Sequence, residues 1–310
     1  MFTSVQHLFI ASTLLTTASL VQASHQCAAD RVSLQVLGSG GPEFTDNRAS
    51  SSYLISLDNR ARILIDAGAG SGINFEKSGA KIQDLDAILF THLHVDHSAD
   101  LPAFIKASFF TPRRSDLQVF GPAGNRVMPS TTAFIRKNFG PEGSYSYLQN
   151  FVEPDQRSAY KIQATDVPLT PHEVSDYTLN DDISLQAIPV NHGPIAATAW
   201  RVNIAGCSIS FTGDMSNQYK TFSTLAENSD IIVAHNAIPQ GAGGVAARLH
   251  MQPSDIGIIA AEANPGKLVL SHRMNRSLGK ETETEAEIRK HYDGDILFAN
   301  DLDIIQPASH

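Results

Sequence analysis

The chain is 310 residues long, of ordinary globular composition, with a formal net charge of −9. That length supplies enough core to fold without covalent staples, and the composition excludes disordered and collagen-like chains. The acidic balance argues against a protein whose main work is gripping nucleic acid, because such binding is dominated by Lys and Arg neutralising phosphates.

Residues 1–23 open the chain with an apolar stretch from Leu8 to Val21 and close on Val21-Gln22-Ala23, a small-residue pattern suited to signal peptidase. They read as a cleaved export signal, leaving a mature chain of 24–310 in the periplasm or outside the cell. The stretch is short against the roughly 20 residues a spanning helix needs, and no later segment reads as transmembrane, so stable membrane insertion is not expected. Both cysteines, Cys27 and Cys207, survive cleavage. Two readings stay open for them: one disulfide in an oxidising compartment, or two separate buried thiols.

From Ser33 onward, short β-branched runs alternate with helix-like stretches. The strand candidates are SLQVLG, SYLISL, ARILIDAG, AILFTH, LQVFGP, ISLQAIPV, ATAWRVNI, CSISFTGD, DIIVAH, KLVLSH and ILFAND. Helix candidates are SADLPAFIKASFF, STTAFIRKNF, PSDIGIIAAEA and ETEAEIRKHY. This alternation argues a layered α/β fold. Pro122 to Asn180 is poorer in periodic signal and reads as loops and an excursion over one face. No repeat and no Pro/Gly/Ser linker divides the chain.

The stretch THLHVDHSAD follows AILF directly, and within it His92, His94, Asp96 and His97 spell His-x-His-x-Asp-His. Imidazole nitrogens and carboxylate oxygens suit zinc and similar metals, and a turn just past a strand aims neighbouring side chains at one point. Further ligands are then expected at other strand ends, where α/β folds gather their sites. IPVNHG ends on His192, SISFTGD on Asp214 and KLVLSH on His272.

This series, with LIDAG upstream and FTGD before the aspartate, resembles the metallo-β-lactamase superfamily of dinuclear metal hydrolases. The resemblance implies a four-layer αββα sandwich and two Zn²⁺ ions, with Fe or Mn as alternatives. His92, His94 and His192 would hold one metal; Asp96, His97 and His272 the other; Asp214 would bridge both. Asp66, in LIDAG, matches a position that supports the ligand loop. Two metals about 3.5–4 Å apart lower the pKa of a shared water to near neutrality, and Asp96 is the residue expected to orient it.

The back half resembles the ribonuclease Z side of the superfamily. In that register His250, in RLHMQPSD, is the candidate general acid for the leaving group, a task an imidazole suits. The glutamate that relatives pair with this histidine is Asn236 here, which weakens an acid relay, and His235 is left to a structural role. A weak acid matters least for stable leaving groups such as aryloxides. LGSGGPE, RASSSYLI and HVDHSADLP resemble the arylsulfatase-like branch of the superfamily, and together these turn the expectation toward an exported arylsulfatase-like hydrolase of small anionic esters. The alternatives are a ribonuclease Z-like phosphodiesterase, then a lactonase, then a non-catalytic periplasmic metal-binding protein.

Arg48, Arg273 and Arg276 fall in loops expected near the ligands, and their forked donors suit a sulfate or phosphate oxyanion. Gly38, Gly40 and Gly41 could offer backbone N–H groups to an anion, but a tight turn is their commoner use. A homodimer is the expected assembly on general grounds.

Overall fold

A computed structural model describes Met1 and residues 26–307. The expected export signal at 1–23 lies outside the described residues apart from Met1.

Near-continuous apolar runs, such as those of the strands CSISF and IIVAH, bury both faces of a strand, and such strands stack as inner layers. The first sheet holds β1 (Val32–Gly38), β2 (Ser52–Leu57), β3 (Arg60–Ile65), β4 (Ala87–Leu89), β5 (Leu117–Pro122) and β6 (Ile162–Val167), side by side in chain order. The second holds β7 (Ser175–Asn180), β8 (Ile183–Pro189), β9 (Thr198–Ile204), β10 (Cys207–Phe211), β11 (Ile231–His235), β12 (Leu268–Ser271) and β13 (Ile296–Phe298), again in chain order. A last short strand, β14 (Ile304–Ile305), returns to the first sheet and pairs antiparallel with β1.

Each sheet begins as an antiparallel meander and turns parallel: from β3 in the first sheet, from β10 in the second. Parallel neighbours need crossovers, and helices supply them. In the first half these are α1 (Ser71–Lys77), α2 (Val95–Ser98), α3 (Leu101–Phe109) and α4 (Thr131–Phe139). In the second they are α5 (Phe222–Leu225), α6 (Gly244–Leu249), α7 (Pro253–Ala263) and α8 (Glu281–Ile288).

Three apolar clusters account for the layering. Tyr53, Ile63 and Ile65 meet Leu185, Trp200, Phe211 and Val233 between the sheets. Phe75, Phe104, Ile135 and Phe139 cover the outer face of the first sheet, and Phe222, Ile256, Ile259 and Ile288 that of the second. The alternation is visible along β11, where Ile231 and Val233 face the other sheet while Ile232 and Ala234 face the helices. The result is the αββα sandwich that the resemblance implied.

The sequence expectation missed β6, β7 and β14. The first two are edge strands, IQATDV and SDYTLN, whose partly exposed, polar positions hide the apolar signal. The third has two residues. Cys27 and Cys207, 180 residues apart, are joined in a disulfide that ties the start of the described chain to β10. Among the described residues, no helix is long and apolar enough to cross a membrane.

Candidate metal centre

β4, β8, β10, β11 and β12 all deliver a His or Asp at or just past the same end of the sandwich. Three residues past β4 stands His92; α2 then begins, with His94 at its N-cap and Asp96 and His97 in its first turn. His192 follows β8, Asp214 follows β10, His235 ends β11 and His272 follows β12. Ligand atoms of His92, His94, His192 and Asp214 lie within 4.8 Å of one another, and so do those of His97, Asp214, His235 and His272. Asp214 belongs to both sets. Asp96 stands beside the second, its Oδ2 3.3 Å from His272 Nε2 and 3.6 Å from His97 Nε2.

Hydrogen bonds decide which nitrogens face inward. His97 Nδ1 donates to Asp66 Oδ2 at 2.8 Å and His192 Nδ1 to the Leu249 carbonyl at 2.8 Å. In the neutral ring, with the proton on Nδ1, Nε2 presents a lone pair. The Nε2 atoms of His92, His97 and His192 are buried and have no hydrogen-bond partner. Buried polar atoms are rarely left so. Three of them converging with a shared carboxylate fit a cation, since metal-ligating histidines anchor their other nitrogen in this way.

Asp66 shows how the support is built. Fully buried, it accepts from the Thr91 N–H, the Thr91 hydroxyl and His97 Nδ1, each at 2.8 Å. It therefore holds both the strand end and a ligand, the supporting role the resemblance implied. Gly41 fits behind the last ligand, because a Cβ there would lie 2.9 Å from His272 Cε1.

Without a cation, protons held on histidines offset the buried carboxylates. Burial lowers the His97 imidazole, but Asp96, Asp66 and Asp214 outweigh it and push it up to about 9. Burial would raise Asp214, yet His272, His250 and His235 hold it well below the usual carboxylate range. Asp96, against the same burial, is lowered to about 2 chiefly by His97 and His272. Protons thus occupy histidines where a metal would otherwise neutralise the carboxylates, and metal binding must displace them.

His235 is the functional residue that sequence reasoning undervalued: it lies against Asp214 rather than away from the centre. Its signal was available, since it ends a strand as the other ligands do. His250 lines the same wall, its Nδ1 3.7 Å from Asp214 Oδ2, and burial lowers its pKa to about 4. That direction favours the neutral imidazole, a form that can donate a hydrogen bond. Asn236, next to His235, is buried with both side-chain amide atoms unpartnered.

The arginines divide. Arg273 is 4% exposed and gives its guanidinium to Glu281, Ala299 and Asn300. Arg48 donates to Ser39, Ala299 and Asn300. Both brace the segment after β13, a packing use that the expectation of substrate binding did not include, while the Nε of Arg273 is buried without a hydrogen-bond partner. Arg276 donates to the Ala237 carbonyl and lies near enough to His250 to act on its charge. Gly38 serves packing, because a Cβ there would strike the Ser50 carbonyl.

Residues 45–272 match the family profile of the metallo-beta-lactamase superfamily. The chain belongs to that superfamily. Among its curated relatives, ribonuclease Z of Mycobacterium marinum is 28% identical over 287 residues, covering 87% of this chain and 97% of the relative. Among solved structures, the short form of human tRNase Z superimposes with a TM-score of 0.68 at 18% identity, covering 89% of this chain and 99% of that one. YhfI, a metallo-β-lactamase-fold protein from Bacillus subtilis, gives 0.66 at 21% identity, with 88% and 99% covered. These two superpositions establish the superfamily's fold, and membership makes the protein a hydrolase with a site able to hold metal.

Proposed function

We propose that this superfamily member is a dinuclear-metal phosphodiesterase, zinc-loaded and acting on small anionic diesters. The observation that carries the reading is the position of Asp214, shared between two donor sets. His92, His94, His192 and Asp214 would hold one metal, and Asp96, His97, His272 and Asp214 the other. When bound, the pair supplies Lewis acidity that brings a water toward neutral pKa and neutralises developing charge.

The chain's own residues do the rest. Asp96 is ionised at neutral pH and placed to accept a hydrogen bond from the attacking water, orienting its lone pair toward phosphorus. His250, at the wall, donates to the departing oxygen as a neutral imidazole, and Arg276 adds positive charge nearby. Asp66 and the Leu249 carbonyl hold His97 and His192 in their tautomers.

Relatives named ribonuclease Z support the diester, whereas the sulfate ester expected from sequence draws no support from them. The acidic charge supports a small substrate over RNA. Export to an oxidising compartment is part of the proposal, and the Cys27–Cys207 disulfide supports it.

The test is kcat/KM, with metal loaded and with chelator, on an aryl phosphodiester, the matching aryl sulfate and an RNA with a 3′ extension. Metal-dependent preference for the aryl diester is expected. Preference for sulfate would sink the phosphodiesterase reading, faster RNA cleavage would replace the substrate class, and silence on all three would favour the lactonase or a protein that only binds metal.

A further inference from the structure

His235 differs from the other histidines of the centre in having both ring nitrogens engaged. Nδ1 lies 2.8 Å from Asp214 Oδ1, and Nε2 lies 3.0 Å from the Tyr53 hydroxyl. A carboxylate only accepts, so Nδ1 carries the proton; Nε2 of the neutral ring is then an acceptor and Tyr53 donates to it. By contrast, Nε2 of His92, His97 and His192 stands without a partner. Tyr53 is fully buried on β2 in the first sheet, its ring 5.5 Å from Phe211 at the end of β10. His235 ends β11 in the second sheet, its N–H bonded to the Thr212 hydroxyl at 3.1 Å. Two hydrogen bonds therefore run from one sheet across the sandwich and finish on the shared carboxylate.

We propose that Tyr53 and His235 are positioning residues, not ligands, and that they set metal affinity by fixing Asp214. With Oδ1 held by His235, Oδ2 is turned to His97 and His192, at 3.8 and 3.7 Å. A carboxylate free to rotate would spend part of its time with neither oxygen so placed. Tyr53 locks the imidazole in the tautomer that donates to Asp214. Without it the proton can move to Nε2, and the bond to Asp214 is lost.

This inference rests on the metal-centre reading, and the experiment separates the two. Metal-free wild type, Tyr53→Phe and His235→Ala are titrated with Co²⁺, and stoichiometry, affinity and visible spectrum are read. Wild type that takes up no cobalt would sink the metal reading itself. Given uptake, Tyr53→Phe keeps the aromatic packing and is expected to keep wild-type stoichiometry with affinity about 10- to 100-fold weaker and an altered spectrum, the scale of lost outer hydrogen bonds to metal ligands. His235→Ala should bind as many ions with at least as large a loss. If His235→Ala loses a metal while Tyr53→Phe titrates as wild type, His235 is a ligand and the inference fails. A Tyr53→Phe titration and spectrum identical to wild type overturns it as well, and this arm decides alone if His235→Ala does not fold.

Discussion

Asp66, outside both donor sets, is paired at 2.8 Å with the imidazole of His97, which belongs to one of them, and both side chains are buried. Asp66 also sits in the left-handed region, at φ 55°, which asparagine tolerates well. Asp66→Asn therefore alters charge and hydrogen bonding with little backbone cost. Metal affinity should fall about 10- to 100-fold, the usual effect of losing such a partner. Calorimetric titration checks it, and an unchanged affinity would remove Asp66 from the supporting role.

Asp214→Ala should lose metal and activity together, because both donor sets share that carboxylate. A fall in kcat/KM of at least about 10³-fold is expected, comparable to deleting a principal electrostatic stabiliser. Elemental analysis of the purified variant gives the metal count. Two ions still bound would show that the donor sets were misassigned.

His250→Ala should spare metal content while slowing hydrolysis unevenly. Hydrogen donation to a leaving group is worth about 10²-fold or more for a poor one and much less for a good one. Because burial holds His250 near 4, its own titration should leave kcat/KM flat between pH 6 and 8. Equal slowing of aryl and alkyl diesters would count against contact with the leaving group.

For the metal-free chain, His97 makes stability depend on pH. Its folded pKa of about 9 lies above the unfolded value of about 6.5, so its contribution is complete below pH 6.5 and is lost as pH rises through 9. Urea midpoints of the metal-free chain should fall across that window. In the loaded chain the Nε2 lone pair is engaged and this dependence should vanish, with protons released on loading at neutral pH. Binding enthalpies that do not change with buffer ionisation enthalpy would argue against the release.

Gly41→Ala tests packing behind the last ligand, since the new Cβ would meet His272 Cε1 at 2.9 Å and Met274 Cγ at 3.1 Å. Overpacking of this kind costs about 1–3 kcal/mol, and displacement of the imidazole should weaken metal binding in parallel. A thermal melt and a metal titration together check it. A drop in melting temperature with unaltered metal affinity would show that the loop, not His272, gives way.

Much of this centre was legible because its chemistry is local. The His-x-His-x-Asp-His cluster lies on one turn, and His192, Asp214 and His272 each close an apolar run, so residue type and strand end coincide. The interior strands were legible for the same reason: full burial leaves a continuous apolar signal. The edge strands IQATDV and SDYTLN had no such signal, being polar on their open sides.

What no linear reading could supply is distance across the sandwich. Arg48 and Arg273 read as free cations until the segment after β13 folds back and takes their donors. His235 read as a structural residue until β11, lying between β10 and β12, brought it against Asp214 and faced it to Tyr53, 182 residues away in the chain. Cys27 and Cys207 read equally well as two thiols until the strands put them in bonding range. Side-chain type and spacing are carried by the chain itself, and they establish donor chemistry and strand interior. Which donors remain free depends on partners far apart in sequence, and only packing of the two sheets selects them.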